Sequence, residues 1–386
     1  MNAPTTTEQA PVSARFPDGL VRRVLNRMRE GSYDVAASAM TEPANVFVDQ
    51  SRWEAERVQF FRESPQVVGW SGEVARLGSY TTKTVAGVPV LITRTESGVL
   101  KAFLNACSHR GAQVADGCGS SRRFSCPYHA WTFDLGGKLV GQPEADAFAD
   151  IKPEELGLQS LPIEERVGLL IVGLTPDVDV SHALDGIEDE LKWCGYETHE
   201  VVATRRFDVK ANWKIIVDVN LEAYHIAALH RETLHPIAVN HSIHDVFGRH
   251  SRWAFPTRIA EKFLDAPESE WPLQFPISVV HVIFPGCVIL ETPMSSQMFR
   301  IYPGATVGEA IVEFSDASLH PIGSEEERAG RMYGFDLASK IVGTEDFPVA
   351  EQCQVGAANG LSNFRFGRCE PMLQHWHGQW REQLKL

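Results

Sequence analysis

Hydrophobic and polar positions divide the chain into three regions with different periodicities. Between Asp18 and about Arg62, apolar residues recur at the intervals of an amphipathic helix. From Gln66 to about Val172, short runs rich in β-branched and aromatic residues alternate with Gly- and Ser-containing turns, which is typical of a small antiparallel β-domain. These runs are YTTKTV, VPVLITR, VLKAFLNAC and AWTFDL.

The third region mixes both periodicities. Its pattern predicts helices at 182–193, around 212–230 and over 325–359, and strands at 200–209, 277–291, 297–302 and 310–314. We therefore predict an α+β fold, in which a small all-β domain precedes a larger domain with helices packed on an antiparallel sheet. The predicted boundaries are 1–62 for an N-terminal helical segment that packs on the larger domain, 63–172 for the β-domain and 173–386 for the larger domain.

Composition narrows the class of protein. The 386 residues exceed what one hydrophobic core usually supports, and 36 Lys and Arg against 50 Asp and Glu give a formal net charge of −14. This acidic surplus argues against a dominant nucleic-acid-binding role. The apolar run 167–174 is far shorter than the roughly 20 residues that span a bilayer. The start has no secretory signal pattern and the seven cysteines do not suggest a disulfide framework, so we expect a cytoplasmic protein.

Two Cys/His pairs within the β-domain have the spacing of metal ligands. The sequence reads Cys107-x-His109, then sixteen intervening residues, then Cys126-x-x-His129. A structural zinc site would accept this donor set, but zinc fingers usually pair Cys with Cys and His with His. In a Rieske [2Fe-2S] centre one iron carries both thiolates and the other both imidazoles, so one thiolate and one imidazole from each turn favour the cluster. Cys118 lies outside the pattern and is expected to be a buried thiol.

A second candidate site lies in NWKIIVDVNLEAYHIAALHRETLHP, which contains Glu222, His225 and His230. Residues five apart lie roughly 140° apart around a regular helix, so convergence of the two histidines requires a π-type turn or a helix end. The alternative is a helix with two incidental histidines. Two imidazoles and one carboxylate form the facial triad of a non-heme Fe(II) oxygenase. Because Glu222 is one turn away and cannot be turned inward as well, we expect the carboxylate from elsewhere in the chain.

The segments CSHRGA and CPYHAWTFDLGG together resemble the Rieske domain in the large subunit of the Rieske non-heme iron oxygenases, the ring-hydroxylating family. The resemblance implies a [2Fe-2S] cluster on the two Cys/His pairs and a mononuclear Fe(II) on the two histidines of the second site. The segment TEDFPVAEQCQ is similar to the family's late pattern E-D-x4-E-x-x-Q, which implies that Asp346 is the third iron ligand. Glu345 and Glu351 are the alternatives.

Glu222 matches the position of the family's bridging acid, which links an iron-ligating His to a Rieske His of the neighbouring subunit. The family's head-to-tail homotrimer is therefore expected here. Asp is the commoner residue at that position, and Glu resembles the branch that acts on quaternary ammonium compounds such as carnitine and betaines. Val219 stands where the family usually has Asn, which leaves the role of Asp218 open.

These features predict a mono- or dioxygenase, the terminal component of a multicomponent system that uses O₂. Electrons from NAD(P)H would arrive through a separate reductase, with or without a ferredoxin, because the chain has no G-x-G-x-x-G fingerprint on a βα turn. The expected substrate is a small organic molecule that is hydroxylated or oxidatively demethylated. An aromatic compound is the first interpretation, and a quaternary ammonium or methylated amine compound is the alternative. A pure electron carrier and a zinc-stabilised binding protein are the competing classes.

The segment between His230 and Glu313 is expected to line the substrate pocket. Its aromatic candidates are Phe247, Trp253, Phe255, Phe263, Trp271, Phe275, Phe284 and Phe299. Its candidates for binding a substrate carboxylate are Arg249, Arg252 and Arg258, with a surface location as the alternative. His375 and His377, near the C-terminus, are expected at a surface or interface.

Overall fold

The N-terminal region of the structure, a computed structural model that describes residues 16–384, is mainly helical. Its elements are α1 (Asp18–Glu30), β1 (Met40–Pro43) and α2 (Gln50–Glu56), which continues as a π-helical turn to Arg62. The periodic residues of the sequence form the buried face of α1: Leu20, Val21, Val24, Leu25 and Met28. This face packs in one apolar cluster with Ile243 and Val279 of the larger domain. Residues 1–15 of the predicted N-terminal segment lie outside the described residues.

The second region is built from short antiparallel strands. They are β2 (Gln66–Trp70), β3 (Ser79–Val85), β4 (Val88–Arg94), β5 (Leu100–Leu104), β6 (Cys118–Ser120), β7 (Arg123–Ser125), β8 (Thr132–Asp134), β9 (Leu139–Gly141), β10 (Ser160–Leu161), β11 (Ile163–Arg166) and β12 (Leu169–Val172). Their sheet orders are β10-β5-β4-β3-β6, β7-β8-β9 and β11-β12-β2. The four runs read from the sequence become β3, β4, β5 and β8.

The third region contains the largest sheet and most of the helices. Its elements are α3 (Glu188–Leu191), β13 (Glu200–Val209), α4 (Trp213–Asp218), α5 (Ile226–Leu229), β14 (Ile243–Phe247), β15 (His250–Pro256), β16 (Ile277–Ile283), β17 (Cys287–Glu291), β18 (Ser295–Pro303), β19 (Ala310–Ser318), α6 (Glu325–Ile341), α7 (Phe347–Ala358), β20 (Asn363–Phe366) and α8 (Pro371–Gln383). The antiparallel sheet has the order β13-β19-β18-β17-β16-β15-β14. The predicted α+β class is confirmed, while the boundaries at 62 and 172 stay predictions.

Several elements of this region differ from the sequence prediction. The helix expected over 182–193 is limited to α3, and the strand expected over 277–291 is two strands joined by a turn. Gly286 is required in that turn, because a Cβ there would lie 2.8 Å from the carbonyl oxygen of Ile301. Strands β14 and β15 were not predicted. Strand β15 buries polar as well as apolar residues, including His250 and Arg252, so it lacks the hydrophobic alternation of an ordinary strand.

The two faces of the large sheet pack against different parts of the chain. Helices α4 and α6 contact one face, and the segment that follows β12 packs in an apolar cluster with Ile283 and Ile289 on the other. Over residues 16–384, none of the helices has the length and apolar content to cross a membrane.

Candidate active site

The two Cys/His pairs lie in tight loops that directly follow strands of the β-domain, β5 and β7. The backbone N–H of Cys107 donates to the carbonyl of Ala112 at 2.7 Å, and that of Cys126 donates to the carbonyl of Trp131 at 2.8 Å. These bonds close each loop, so that the thiol and the imidazole of a pair project from one turn.

The four side chains of these loops meet in the interior. Cys107 and Cys126 are 3% and 4% exposed, and their thiols are within hydrogen-bond reach of each other. The ring centroids of His109 and His129 are 4.6 Å apart. The Nδ1 atoms of both rings are buried and have no hydrogen-bond partner among the described residues. A buried unpaired polar atom costs about 1–3 kcal/mol, so a matched pair of them fits ligands for a metal group.

The spacing of these donors fits a cluster better than a single zinc ion. Among residues 16–384, two groups of three His, Cys, Asp or Glu residues have donor atoms that all lie within 4.8 Å of one another. Neither group contains Cys107 or Cys126, so no three donors of this site lie that close together. A tetrahedral zinc ion with bonds of about 2.0–2.3 Å needs its ligands closer than that. The expectation that Cys118 is buried is wrong: it is exposed, because β6 is a three-residue strand at the edge of its sheet.

The outer edge of this site reaches the protein surface. Arg110 donates to Nε2 of His129 at 2.8 Å, and its guanidinium lies 4.3 Å from the ring centroid of Tyr128. Tyr128 itself is 57% exposed. His129 is itself only partly exposed, because Arg110 lies against its Nε2.

The second site is built on an interrupted helix. The single helix expected over 212–230 is two short helices, α4 and α5, with His225 and His230 at the two ends of the one-turn helix α5. The Glu222 carboxylate accepts a hydrogen bond from the backbone N–H of His225 at 3.0 Å. Such a bond competes with continuous helical pairing and allows α5 to start at a new angle.

The carboxylate of the site comes from a second irregular helix. Between α6 and α7 the chain makes a π-helical turn, Val342–Asp346, which turns Asp346 inward. Pro348 lies two residues after Asp346, and because it has no N–H and crowds the carbonyl four residues earlier, it favours this irregularity. Of the two arrangements expected to bring the histidines together, the structure shows the helix end, and a π turn is found at the Asp instead.

Donor atoms of His225, His230 and Asp346 all lie within 4.8 Å of one another. Oδ1 of Asp346 is 3.1 Å from Nε2 of His230 and 3.7 Å from Nε2 of His225. Burial opposes protonation of His230, but its hydrogen bonds to Asp346 and Glu345 raise its pKa overall. The site therefore attracts positive charge, which suits a metal cation.

Each imidazole is oriented by a carboxylate at its other nitrogen. Nδ1 of His225 donates to Glu222, and Nδ1 of His230 donates to Glu345 at 2.6 Å. This arrangement fixes the tautomer that leaves Nε2 available for a metal. Glu345, considered from sequence as an alternative ligand, lies behind His230, and Glu351 accepts a hydrogen bond from the backbone N–H of Lys210 instead. This orienting role of Glu345 was not predicted from the sequence, although its position next to Asp346 in the chain indicated that it would lie near the site.

A cavity of about 410 Å³ opens next to this site, between the large sheet and α6. Of the aromatic candidates, only Trp253, Phe255 and Phe299 line it. The lining also includes small residues of α6, Gly334 and Ala338, which had not been considered.

The three arginine candidates lie away from this cavity. Arg249 donates to the carbonyl of His182, Arg252 pairs with Asp245 and Glu190, and Arg258 donates to the carbonyl of His235. Their expected contact with a substrate carboxylate is therefore not supported by the geometry.

The expected surface location of the C-terminal histidines is wrong for His377. It is 1% exposed, and its Nε2 lies 3.1 Å from Oδ1 of Asp218, the last residue of α4. His375 is half-buried on the same helix. Helix α8 folds back against α4, which is why a near-terminal segment is interior. Asp218 therefore anchors α8 to the helix that precedes the candidate iron site.

Comparison with known proteins identifies the two kinds of domain in which the candidate sites lie. Residues 64–162 match the family model of the Rieske [2Fe-2S] domain, and residues 196–386 match that of the ring hydroxylating alpha subunit (catalytic domain). The carnitine monooxygenase oxygenase subunit of Escherichia coli (strain K12) is 29% identical over 272 residues, which cover 67% of this chain and 72% of that protein. The chloroplastic choline monooxygenase of Beta vulgaris is 31% identical over 205 residues, 50% of this chain and 45% of that one.

Solved structures share the fold over nearly the whole chain. The quaternary ammonium Rieske monooxygenase CntA in complex with L-carnitine aligns with a TM-score of 0.75 at 21% identity, covering 95% of this chain and 98% of that one. Naphthalene 1,2-dioxygenase from Rhodococcus sp. aligns with a TM-score of 0.74 at 17% identity, covering 95% and 97%.

The chain belongs to the Rieske non-heme iron oxygenases. It is an O₂-dependent oxidoreductase with a Rieske [2Fe-2S] domain and a catalytic domain for mononuclear iron, and it is the oxygenase subunit of a system that includes a reductase. The predicted class of enzyme and the predicted cofactors are confirmed.

Replacing Cys107 by Ser is expected to remove the cluster, because a hydroxyl replaces a thiolate ligand. The red-brown absorbance and the acid-labile sulfide should both be lost, whereas the matched change Cys118→Ser should keep them. Wild-type protein should hold about three irons per chain, two in the cluster and one beyond. A Cys107→Ser protein with the wild-type visible spectrum would refute the assignment.

Replacing His225 or Asp346 by Ala is expected to leave the visible spectrum intact while about one iron per chain and all turnover disappear, since only the second site is damaged. Glu351→Gln serves as the control and should keep the iron. Full activity and iron in Asp346→Ala would remove Asp346 from the ligand set.

Glu345→Gln tests the orienting contact at His230. Loss of a carboxylate behind a metal-bound imidazole typically weakens metal affinity about 10–100-fold, so titration of iron-depleted protein with Fe(II) should show a shift of that size. An unchanged affinity would mean that Glu345 does not position His230.

Proposed function

We propose that Cys107, His109, Cys126 and His129 hold the [2Fe-2S] cluster, and that His225, His230 and Asp346 hold the mononuclear iron. The orphaned Nδ1 atoms of the first site and the three convergent donors of the second support this assignment. When bound, the cluster supplies electrons one at a time and the mononuclear iron supplies O₂ activation. The protein's own residues fix the tautomers of the two histidines, exclude water from the apolar cavity and hold the substrate.

We further propose that Glu222 connects the two kinds of site between subunits of a head-to-tail homotrimer. Glu222 holds Nδ1 of His225 and lies two residues before Tyr224, which is 66% exposed. The partly exposed His129, next to the exposed Tyr128, is its counterpart on a neighbouring subunit. Such a heterologous contact, repeated with rotation, closes a ring. Electrons would enter from the reductase, directly or through a ferredoxin.

The substrate that the cavity fits best carries no anionic group. The described lining of the cavity contains two carboxylates, Glu222 and Asp346, and no Arg or Lys. Arg331, which donates to the carbonyl of Met294 near the rim, is paired with Glu327. A substrate carboxylate would be desolvated without a protein cation, at a cost of several kcal/mol. The iron, when bound, would be the remaining positive charge near the cavity.

Methylated amines without a carboxylate are our first candidate substrates, to be hydroxylated or oxidatively demethylated. The single observation that carries this proposal is a lining that combines carboxylates and aromatic rings and contains no Arg or Lys among the described residues. Trp253 and Phe255 stack with ring centroids 4.8 Å apart, and such rings attract a quaternary ammonium group by about 0.5–2 kcal/mol. The relative named for choline supports this class, whereas the relative named for carnitine and the Glu at position 222 support a quaternary ammonium group without indicating that a carboxylate is absent.

An uncharged aromatic compound is the second candidate. The observation that favours it is the predominance of aliphatic side chains in the lining, including Val280, Leu290 and Ile341. These would pack against a ring without contributing to recognition of a charge.

Glu222→Gln is expected to keep both metals and substrate binding, yet slow electron transfer from the reduced cluster to the iron by orders of magnitude. An amide does not accept hydrogen bonds from two imidazoles as a carboxylate does. Stopped-flow reoxidation of the cluster measures this rate, and the exposed Glu232→Gln serves as the control. Wild-type turnover in Glu222→Gln, or an active strict monomer, would contradict the proposal.

A substrate panel with the reductase supplied tests the charge preference. Choline-type cations should exceed carnitine and betaine zwitterions by about 100-fold or more in kcat/KM, since burying an unpaired carboxylate costs several kcal/mol. Phe255→Leu should lower kcat/KM for cations by about 2–30-fold and spare uncharged aromatic substrates. Preference for a zwitterion or an aromatic acid would refute the proposal, and turnover of uncharged aromatics alone would select the second candidate.

A further inference from the structure

A second group of ligand-type side chains lies on the face of the large sheet opposite the substrate cavity. His281 is on β16 and Glu291 is on β17, whereas their immediate neighbours Val280 and Leu290 line the cavity. Because successive side chains of a strand point to opposite faces, His281 and Glu291 face the segment that connects the β-domain to the sheet. Cys194 of that segment packs in the same apolar cluster as Ile289.

The donor atoms of Cys194, His281 and Glu291 all lie within 4.8 Å of one another. The three residues are 5%, 0% and 0% exposed. A further oxygen adjoins them, because the hydroxyl of Tyr196 donates to Glu291 at 2.7 Å and is within hydrogen-bond reach of Cys194. One sulfur, one imidazole nitrogen and carboxylate and phenol oxygens are thus collected in a space closed to solvent.

The imidazole of His281 provides an independent indication of a ligand. Its Nε2 lies 3.3 Å from Oε1 of Glu190, while its Nδ1 is fully buried and has no hydrogen-bond partner among the described residues. An imidazole with a carboxylate at one nitrogen and the other nitrogen open is the usual arrangement of a metal-bound histidine. His225 and His230 likewise each have a carboxylate, Glu222 or Glu345, at one ring nitrogen.

We propose that Cys194, His281 and Glu291 bind a structural zinc ion. A thiolate, an imidazole and a carboxylate are the ligands that zinc accepts in closed tetrahedral sites, and Tyr196 is the adjacent oxygen for the fourth position. One thiolate and one carboxylate neutralise the ion, so the buried site carries no net charge. The ion would fasten the connecting segment to β16 and β17, directly behind the substrate cavity.

The test is zinc content in a protein whose iron site is already disabled, since zinc can also occupy a His/His/Asp site. His225→Ala protein, purified from medium containing zinc, should hold about one zinc per chain by mass spectrometry of metals. Adding Cys194→Ala should remove that zinc and keep the visible spectrum of the cluster. Adding Cys287→Ala, a change at another buried cysteine of the same apolar cluster, should keep the zinc.

The measurement on His225→Ala alone decides the matter if the Cys194 variant does not fold. Less than about a tenth of a zinc per chain, even after dialysis against micromolar Zn²⁺, would overturn the proposal. Equal loss of zinc in the Cys194→Ala and Cys287→Ala proteins would overturn it as well, because the loss would then reflect general damage to the cluster of apolar residues.

Discussion

The structure around the cavity depends on one constraint: donor atoms of two histidines and one aspartate, carried by two irregular helical segments, have to converge. His225 and His230 converge because α5 is a single turn with a histidine at each end. Asp346 reaches them because a π turn separates α6 from α7. Regular helices would point the two histidines about 140° apart. The irregular helical geometry is therefore part of the site. Carboxylates at the far nitrogens of the two imidazoles hold the rings in position.

A buried ion pair positions the helix that leads into the histidines. Lys214 on α4 and Glu56 on α2 are both 0% exposed, and Trp213 donates to the same carboxylate at 3.0 Å. Burial lowers the pKa of Lys214, although the nearby carboxylate of Glu56 acts to raise it. A pair of this kind adds little net stability, but loss of one partner leaves a buried charge at a cost of about 3–5 kcal/mol. The N-terminal region is thereby tied to the catalytic site.

Sequence reasoning identified residues that the structure brings together where local spacing decides their positions, and their roles as metal ligands stay predictions. The Cys107-x-His109 and Cys126-x-x-His129 turns, the four β-runs and the pair of histidines all depend on residues close together in the chain. It failed where contacts between residues far apart in the chain determine which side chains meet. The position of His377 against Asp218 and the absence of the arginines from the cavity depend on packing between elements far apart in sequence, which periodicity does not reveal.

The charge of the cavity follows from the register of the large sheet. Trp253, Val280 and Leu290 face the cavity, whereas the adjacent Arg252, His281 and Glu291 face the opposite side. A slip of one residue would exchange these two sets and place a guanidinium and an imidazole beside the substrate. The pairing of Arg252 with Glu190 and Asp245 on the far face opposes such a slip. The proposed selection against anionic substrates would thus depend on backbone pairing as much as on the side chains that line the cavity.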